Sequence, residues 1–141
     1  MDKYESKIKV VSGSPESIFT TITDLGSLQR ILPAGFEDKI KDLQISENGC
    51  SFTVNNIGKV SISIGERTPH SLVKYVIEAA MSLTLNLFVQ IKEAPGPTPA
   101  PESRVKVTLT GNIPFMLKPL VGNRLQEVVD RIAESIASRP F

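Results

Sequence analysis

The side chains of this chain that are able to do chemistry are few and far apart in sequence. A general base or metal ligand needs a histidine held against a partner; the single histidine, His70, follows Pro69 in a segment that reads as a turn, which gives it a surface role. The single cysteine, Cys50, opens a strand after a hairpin and shares the parity of Phe52 and Val54, so it reads as a small buried thiol. Paired cysteines, a second histidine and inward carboxylate clusters at metal-ligand spacing are all missing. Gly58 and Gly65 are isolated, and Gly122-Asn123-Arg124 falls inside a helical pattern, so no phosphate cradle is expected. Arg67 and Glu78 sit on the charged parity of their strands, where surface pairing is the expectation. Tyr75 stands out because it faces inward: a buried phenol requires a partner, and it either orients a ligand carbonyl or bonds to the backbone. No catalytic residue, metal or cofactor follows from this inventory.

The elements that must position these residues are read from periodicity. Tyr4 to Val11 alternates, with Tyr4, Ser6, Ile8 and Val10 on one side and Glu5, Lys7 and Lys9 on the other, as in a half-buried strand. Ser14-Pro15-Glu16 supplies a hydroxyl cap, a proline at the first helical position and an acid near the positive end of the helix dipole. Ile18, Phe19, Ile22 and Leu25 follow at helical spacing up to Gly26, and a second short helix is expected over Ser27 to Leu32, ended by Pro33. From Ile40 onward the period becomes two, giving strands over Ile40 to Ser46, Cys50 to Val54, Lys59 to near Arg67-Thr68-Pro69-His70, Leu72 to Ala79, Met81 to Lys92 and Arg104 to Thr110. Short turns join most of them, so they form an antiparallel meander. The segment from Ala94 to Glu102, with proline at every second position, reads as a stiff hairpin loop.

From about Pro114 to Ser138 the period returns to that of a helix. Leu117, Val121, Leu125, Val128, Val129, Ile132 and Ile136 form one face, and Arg124, Glu127, Asp130, Arg131 and Glu134 the other. Pro119 and Gly122 are expected to kink it or delay its regular start. About twenty helical residues reach about 30 Å, longer than one strand crossing, so the helix must lie along the concavity of a bent sheet. By alternation the space between them is walled by Ile8, Val10, Phe52, Val54, Ile62, Ile64, Tyr75, Ile77, Leu85, Leu87, Val89, Val107, Leu109, Leu125, Val128 and Ile132. Such a wall either frames an apolar pocket or closes on itself as a packed core.

Composition narrows the setting. With 141 residues and 40% hydrophobic content the chain fits one domain spanning residues 1–141, able to bury about 70% of its unfolded surface without a disulfide. No export signal is read, which favours a reducing cytoplasm. Sixteen Lys and Arg against fifteen Asp and Glu, and no apolar run long enough for a span, give no indication of nucleic-acid binding or stable membrane insertion. Lys3, Lys7, Lys9, Lys39, Lys41, Lys59 and Lys74 are scattered and read as solvated strand faces, so a basic patch could arise only through folding.

The full order of strand, two short helices, six strands and a long helix resembles the START-like superfamily, also called SRPBCC, which includes the birch-pollen-allergen type, polyketide cyclases and lipid-transport proteins. The resemblance rests on the opening KIKVVSGSPESIFTTITDLGSLQRILP and the terminal LKPLVGNRLQEVVDRIAESIA. It implies an α+β helix-grip fold, a curved antiparallel sheet of about seven strands around the C-terminal helix. It also implies binding or transport of a hydrophobic small molecule, lipid-like or polyketide-like, by Phe52, Val54, Ile62, Ile64, Tyr75, Ile77, Leu85, Leu87, Val107, Leu109, Leu125, Val128 and Ile132. The other readings are a cyclase in which Tyr75 polarises a carbonyl, and an interaction module or homodimer using an exposed strand or the outward Val76 and Phe88.

Overall fold

A computed structural model of the chain describes residues 2–24, 40–46, 49–54, 58–79, 83–94, 100–138 and 141. Its elements are β1 (Asp2–Glu5), β2 (Lys9–Ser12), α1 (Pro15–Thr23), β3 (Ile40–Ile45), β4 (Gly49–Val54), β5 (Gly58–Thr68), β6 (Leu72–Ala79), β7 (Leu83–Glu93), β8 (Glu102–Gly111) and α2 (Lys118–Ala137). The strands form one curved antiparallel sheet in the order β1-β8-β7-β6-β5-β4-β3, with β2 also on β8. This is the expected α+β helix-grip arrangement. The second short helix expected over Ser27 to Leu32 lies outside the described residues.

Among the described residues eight strands stand where about seven were expected, because the first strand is broken. An unbroken ladder running on from Tyr4 opposite Leu109 would set Val11 against Glu102, but Val11 faces Ser103. The extra residue is accommodated at Ser6, whose N–H donates to the Val107 carbonyl at 2.9 Å. Its Oγ accepts from the Val107 N–H at 2.9 Å, standing in for a backbone carbonyl. Such a bulge reverses the parity of everything after it. Ile8 and Val10, expected to face inward, are therefore 62% and 57% exposed, and Val11 is buried in their place.

Two further irregularities bend the sheet. In β3, Asp42 takes φ 55°, and Ile40 opposite Val54 and Ile45 opposite Cys50 both end on the inner face. In β5 the register shifts between Ile64 and Arg67, so Arg67 falls opposite the inward Val73 instead of on the outer face expected for it.

The helices form where the sequence signals them. Ser14 caps α1 through a 3.1 Å bond from the Ser17 N–H, Pro15 fills the first helical position, and Ile18 and Ile22 are fully buried. The C-terminal helix begins at Lys118, four residues later than Pro114, because Pro119 is tolerated only in the first turn. Residues Pro114 to Leu117 form a turn closed by a 2.8 Å bond from the Leu117 N–H to the Pro114 carbonyl. Val129, Ala133 and Ile136 of α2 pack with Val11, Val73, Val89, Val105 and Val107 of the sheet at full burial. Each such Val or Ile contributes about 1.5–3 kcal/mol, so this layer fixes how the helices sit on the sheet.

Candidate functional site

The sheet's inner face divides into two parts. One is filled: α2 lies on β8, β2 and β1, and α1 on β7 and β6. Among the expected wall residues, Tyr75, Leu85, Val107 and Leu109 belong to this closed core together with Val89, and Phe52 is also buried. The other part is incompletely covered. Cross-strand register sets Ile62 opposite Ile77, Ile64 opposite Tyr75, and Leu87 opposite Tyr75 on the other side. Ile62, Ile64, Ile77 and Leu87 are only half-buried, as are Val54 and, further along, Ile40. Leu43 and Ile45, turned to the same face by the β3 bulge, are 37% and 46% exposed.

Helix α2 is oriented toward this open part by its polar contacts on the opposite flank. The Gln126 side-chain amide donates to the Glu5 carbonyl of β1 at 2.9 Å and reaches the Asp130 carboxylate at 3.3 Å. That fastens one flank to the β1 edge. Successive helical residues are about 100° apart, so Leu125 and Ile132 lie on the other flank, toward β7 and the strands beyond it. Both are half-buried. Val128 was expected in the wall but is about 100° from the buried Val129 and is 41% exposed, so it lies beyond the rim of the wall.

Two buried hydroxyls on the inner face are already engaged. The Tyr75 hydroxyl donates to the Ile22 carbonyl at 2.5 Å, and burial pushes the phenol well above its ordinary range, so it keeps its proton. Ser103 Oγ, fully buried, donates to the Gly13 carbonyl at 2.8 Å. Cys50 stands opposite Ile62 at intermediate burial, and desolvation raises its thiol, which disfavours the reactive thiolate. His70 is exposed in the β5–β6 turn with φ 65°, its ring edge-on to Phe19 at 5.6 Å. Among the described residues no three His, Cys, Asp or Glu side chains cluster as metal ligands. The candidate site is therefore a largely apolar surface whose buried hydroxyls brace the fold.

Alternation placed most of these residues on the inner face but missed Val11, the shared face of Ile40 with Leu43 and Ile45, and the inner register of Arg67. Each lies at or beyond a bulge, and Ser6 and Asp42 carry no pattern that marks a bulge in advance.

No family model matches the sequence, and no curated protein does. Solved structures match over nearly the whole chain. XoxI from Bacillus cereus aligns with a TM-score of 0.71 at 17% identity, covering 98% of this chain and 94% of that one. A START superfamily protein from Mycobacterium smegmatis aligns at 0.60 and 14%, covering 97% and 95%. A point mutant of norcoclaurine synthase from Thalictrum flavum, in complex with a transition-state analogue, aligns at 0.66 and 12%, covering 97% and 94%. The chain has the START-like, or SRPBCC, helix-grip fold. No helix among the described residues is long and apolar enough to cross a membrane.

Proposed function

We propose that the chain binds a hydrophobic small molecule, lipid-like or polyketide-like, against the inner face of β4–β7 under the apolar flank of α2. The observation that carries this reading is the half-burial of Ile62, Ile64, Ile77, Leu87, Leu125 and Ile132 on facing surfaces. A filled core would have buried them as completely as Val105 and Val107. Concave apolar surfaces of this kind hold ligands mainly by removing apolar area from water. Phe52 and Tyr75 form the floor, and Leu85, Val107 and Leu109 support it from the closed core.

Binding ranks above catalysis because a cyclase-type step would use the Tyr75 proton to polarise a carbonyl, and that proton is given to Ile22. The test is displacement of an apolar fluorescent probe, anilinonaphthalene sulfonate, by long-chain fatty acids. Wild-type protein is expected to take up the probe and release it competitively. Ile64→Glu places a charge in the wall and is expected to abolish uptake while the protein stays folded by circular dichroism. Absence of uptake by folded wild-type protein, or unchanged uptake by folded Ile64→Glu, would refute the proposal.

A further inference from the structure

The outer face of the sheet, at its β2 edge, combines cations with bare aliphatic side chains. Register sets Val10 of β2 opposite Arg104 of β8, and Arg104 opposite Lys92 of β7. The neighbouring row holds Lys106 opposite Gln90, with Ile8 at the bulge beside it. Like charges directly opposed across a sheet are destabilising. Arg104 and Lys92 are nevertheless both exposed, and neither forms an ion pair among the described residues.

Nearby acids offset this charge only in part. Glu5 is taken by Lys3 at 2.8 Å and Lys106 at 3.3 Å. Glu102 lies two positions before Arg104, opposite Ser12. Ile8 and Val10 are more than half exposed on the same face because the Ser6 bulge rotates them there.

From this juxtaposition we infer that the outer face at the β2 edge docks on an anionic lipid bilayer. Arg104 and Lys92 meet the negative headgroups while Ile8 and Val10 enter the headgroup–acyl boundary. A bilayer satisfies both halves of the patch at once. An acidic protein surface would leave the two aliphatic side chains against polar groups, and single-stranded nucleic acid favours aromatic platforms among the cations. The contact is peripheral and salt-sensitive, without a membrane span. It goes beyond the ligand-binding reading and uses the opposite face of the sheet, so each fails independently of the other.

The experiment is co-sedimentation of the full chain with phosphatidylcholine vesicles with and without phosphatidylserine. Binding is expected only with phosphatidylserine, and it should fall as salt rises. Lys92→Gln with Arg104→Gln is expected to weaken it about thirtyfold. Ile8→Ser with Val10→Ser should weaken it with the charges intact. Lys41→Gln with Lys59→Gln, at the opposite side of the sheet, should bind like wild type, and thermal melts should show every variant folded. No phosphatidylserine-dependent binding would overturn the inference. Equal loss in the Lys41 and Lys59 variant, or retention by Lys92 and Arg104 of polyglutamate or RNA but not vesicles, would do so too. Ile64→Glu, which tests the inner face, is expected to leave vesicle binding unchanged.

Discussion

The phenol of Tyr75, in the middle of β6, donates a 2.5 Å hydrogen bond to the carbonyl of Ile22 in the last turn of α1. Fifty-three residues of chain separate the two. The carbonyls in the last turn of a helix lack intrahelical partners, so one bond satisfies two buried groups and fastens α1 to the sheet.

Tyr75→Phe should therefore destabilise the protein by about 1–3 kcal/mol, the cost of a buried acceptor left without its donor. Urea unfolding measures this as a lower midpoint at unchanged slope. Probe uptake should survive, because the ring remains in the floor. An unchanged midpoint would mean that the bond carries no stability.

The same phenol makes stability fall at alkaline pH. Burial raises its folded pKa above the ordinary 10.0. A group raised in the folded state contributes stability that is fully present below the unfolded value and is lost as pH rises beyond it. In a Tyr4→Phe background, tyrosinate absorbance should appear above pH about 10 only together with unfolding seen by circular dichroism. Tyrosinate forming in folded protein near pH 10.0 would contradict the burial.

Acid acts on the other end of the fold. Asp2 Oδ2 accepts from the Ile113 N–H at 3.3 Å, and Oδ1 lies 3.4 Å from Lys118 Nζ, tying β1 to the approach to α2. The backbone bond to Ile113 is the main cause holding this carboxyl below its ordinary 3.8, with Lys118 adding to it. A lowered carboxylate contributes stability above its unfolded pKa and loses it as pH falls through the folded one. An NMR titration should give Asp2 a midpoint below 3.8, and the Lys118→Gln variant should move it upward. A midpoint at 3.8 in the wild type would show that the tie is absent in solution.

Ser6→Ala removes the oxygen that replaces a ladder carbonyl and leaves the Val107 N–H without its acceptor. The expected cost is about 1–3 kcal/mol. Hydrogen exchange should localise it, with the Val107 amide losing protection while the mid-β6 amides keep theirs. Full protection at Val107 would mean that another acceptor takes over.

Among the described residues, the sequence by itself determined the element types and their order. Ser14-Pro15-Glu16 started α1, the two-residue period marked the strands of the meander, and the apolar stripe from Leu125 to Ile136 required a helix buried on one face. These signals are local: a cap, an alternation or a helical period is written in adjacent residues. They also carried much of the candidate wall, since Ile62, Ile64, Ile77 and Leu87 hold their parity between bulges. Only the tertiary structure decided where parity breaks, and so sent Ile8 and Val10 outward and Val11 inward. It also divided the wall into a closed core and a half-covered surface, and gave the Tyr75 proton to Ile22. The physical reason is that a bulge and a long-range hydrogen bond are set by both partners, and the partner of Ser6 is Val107, one hundred and one residues away.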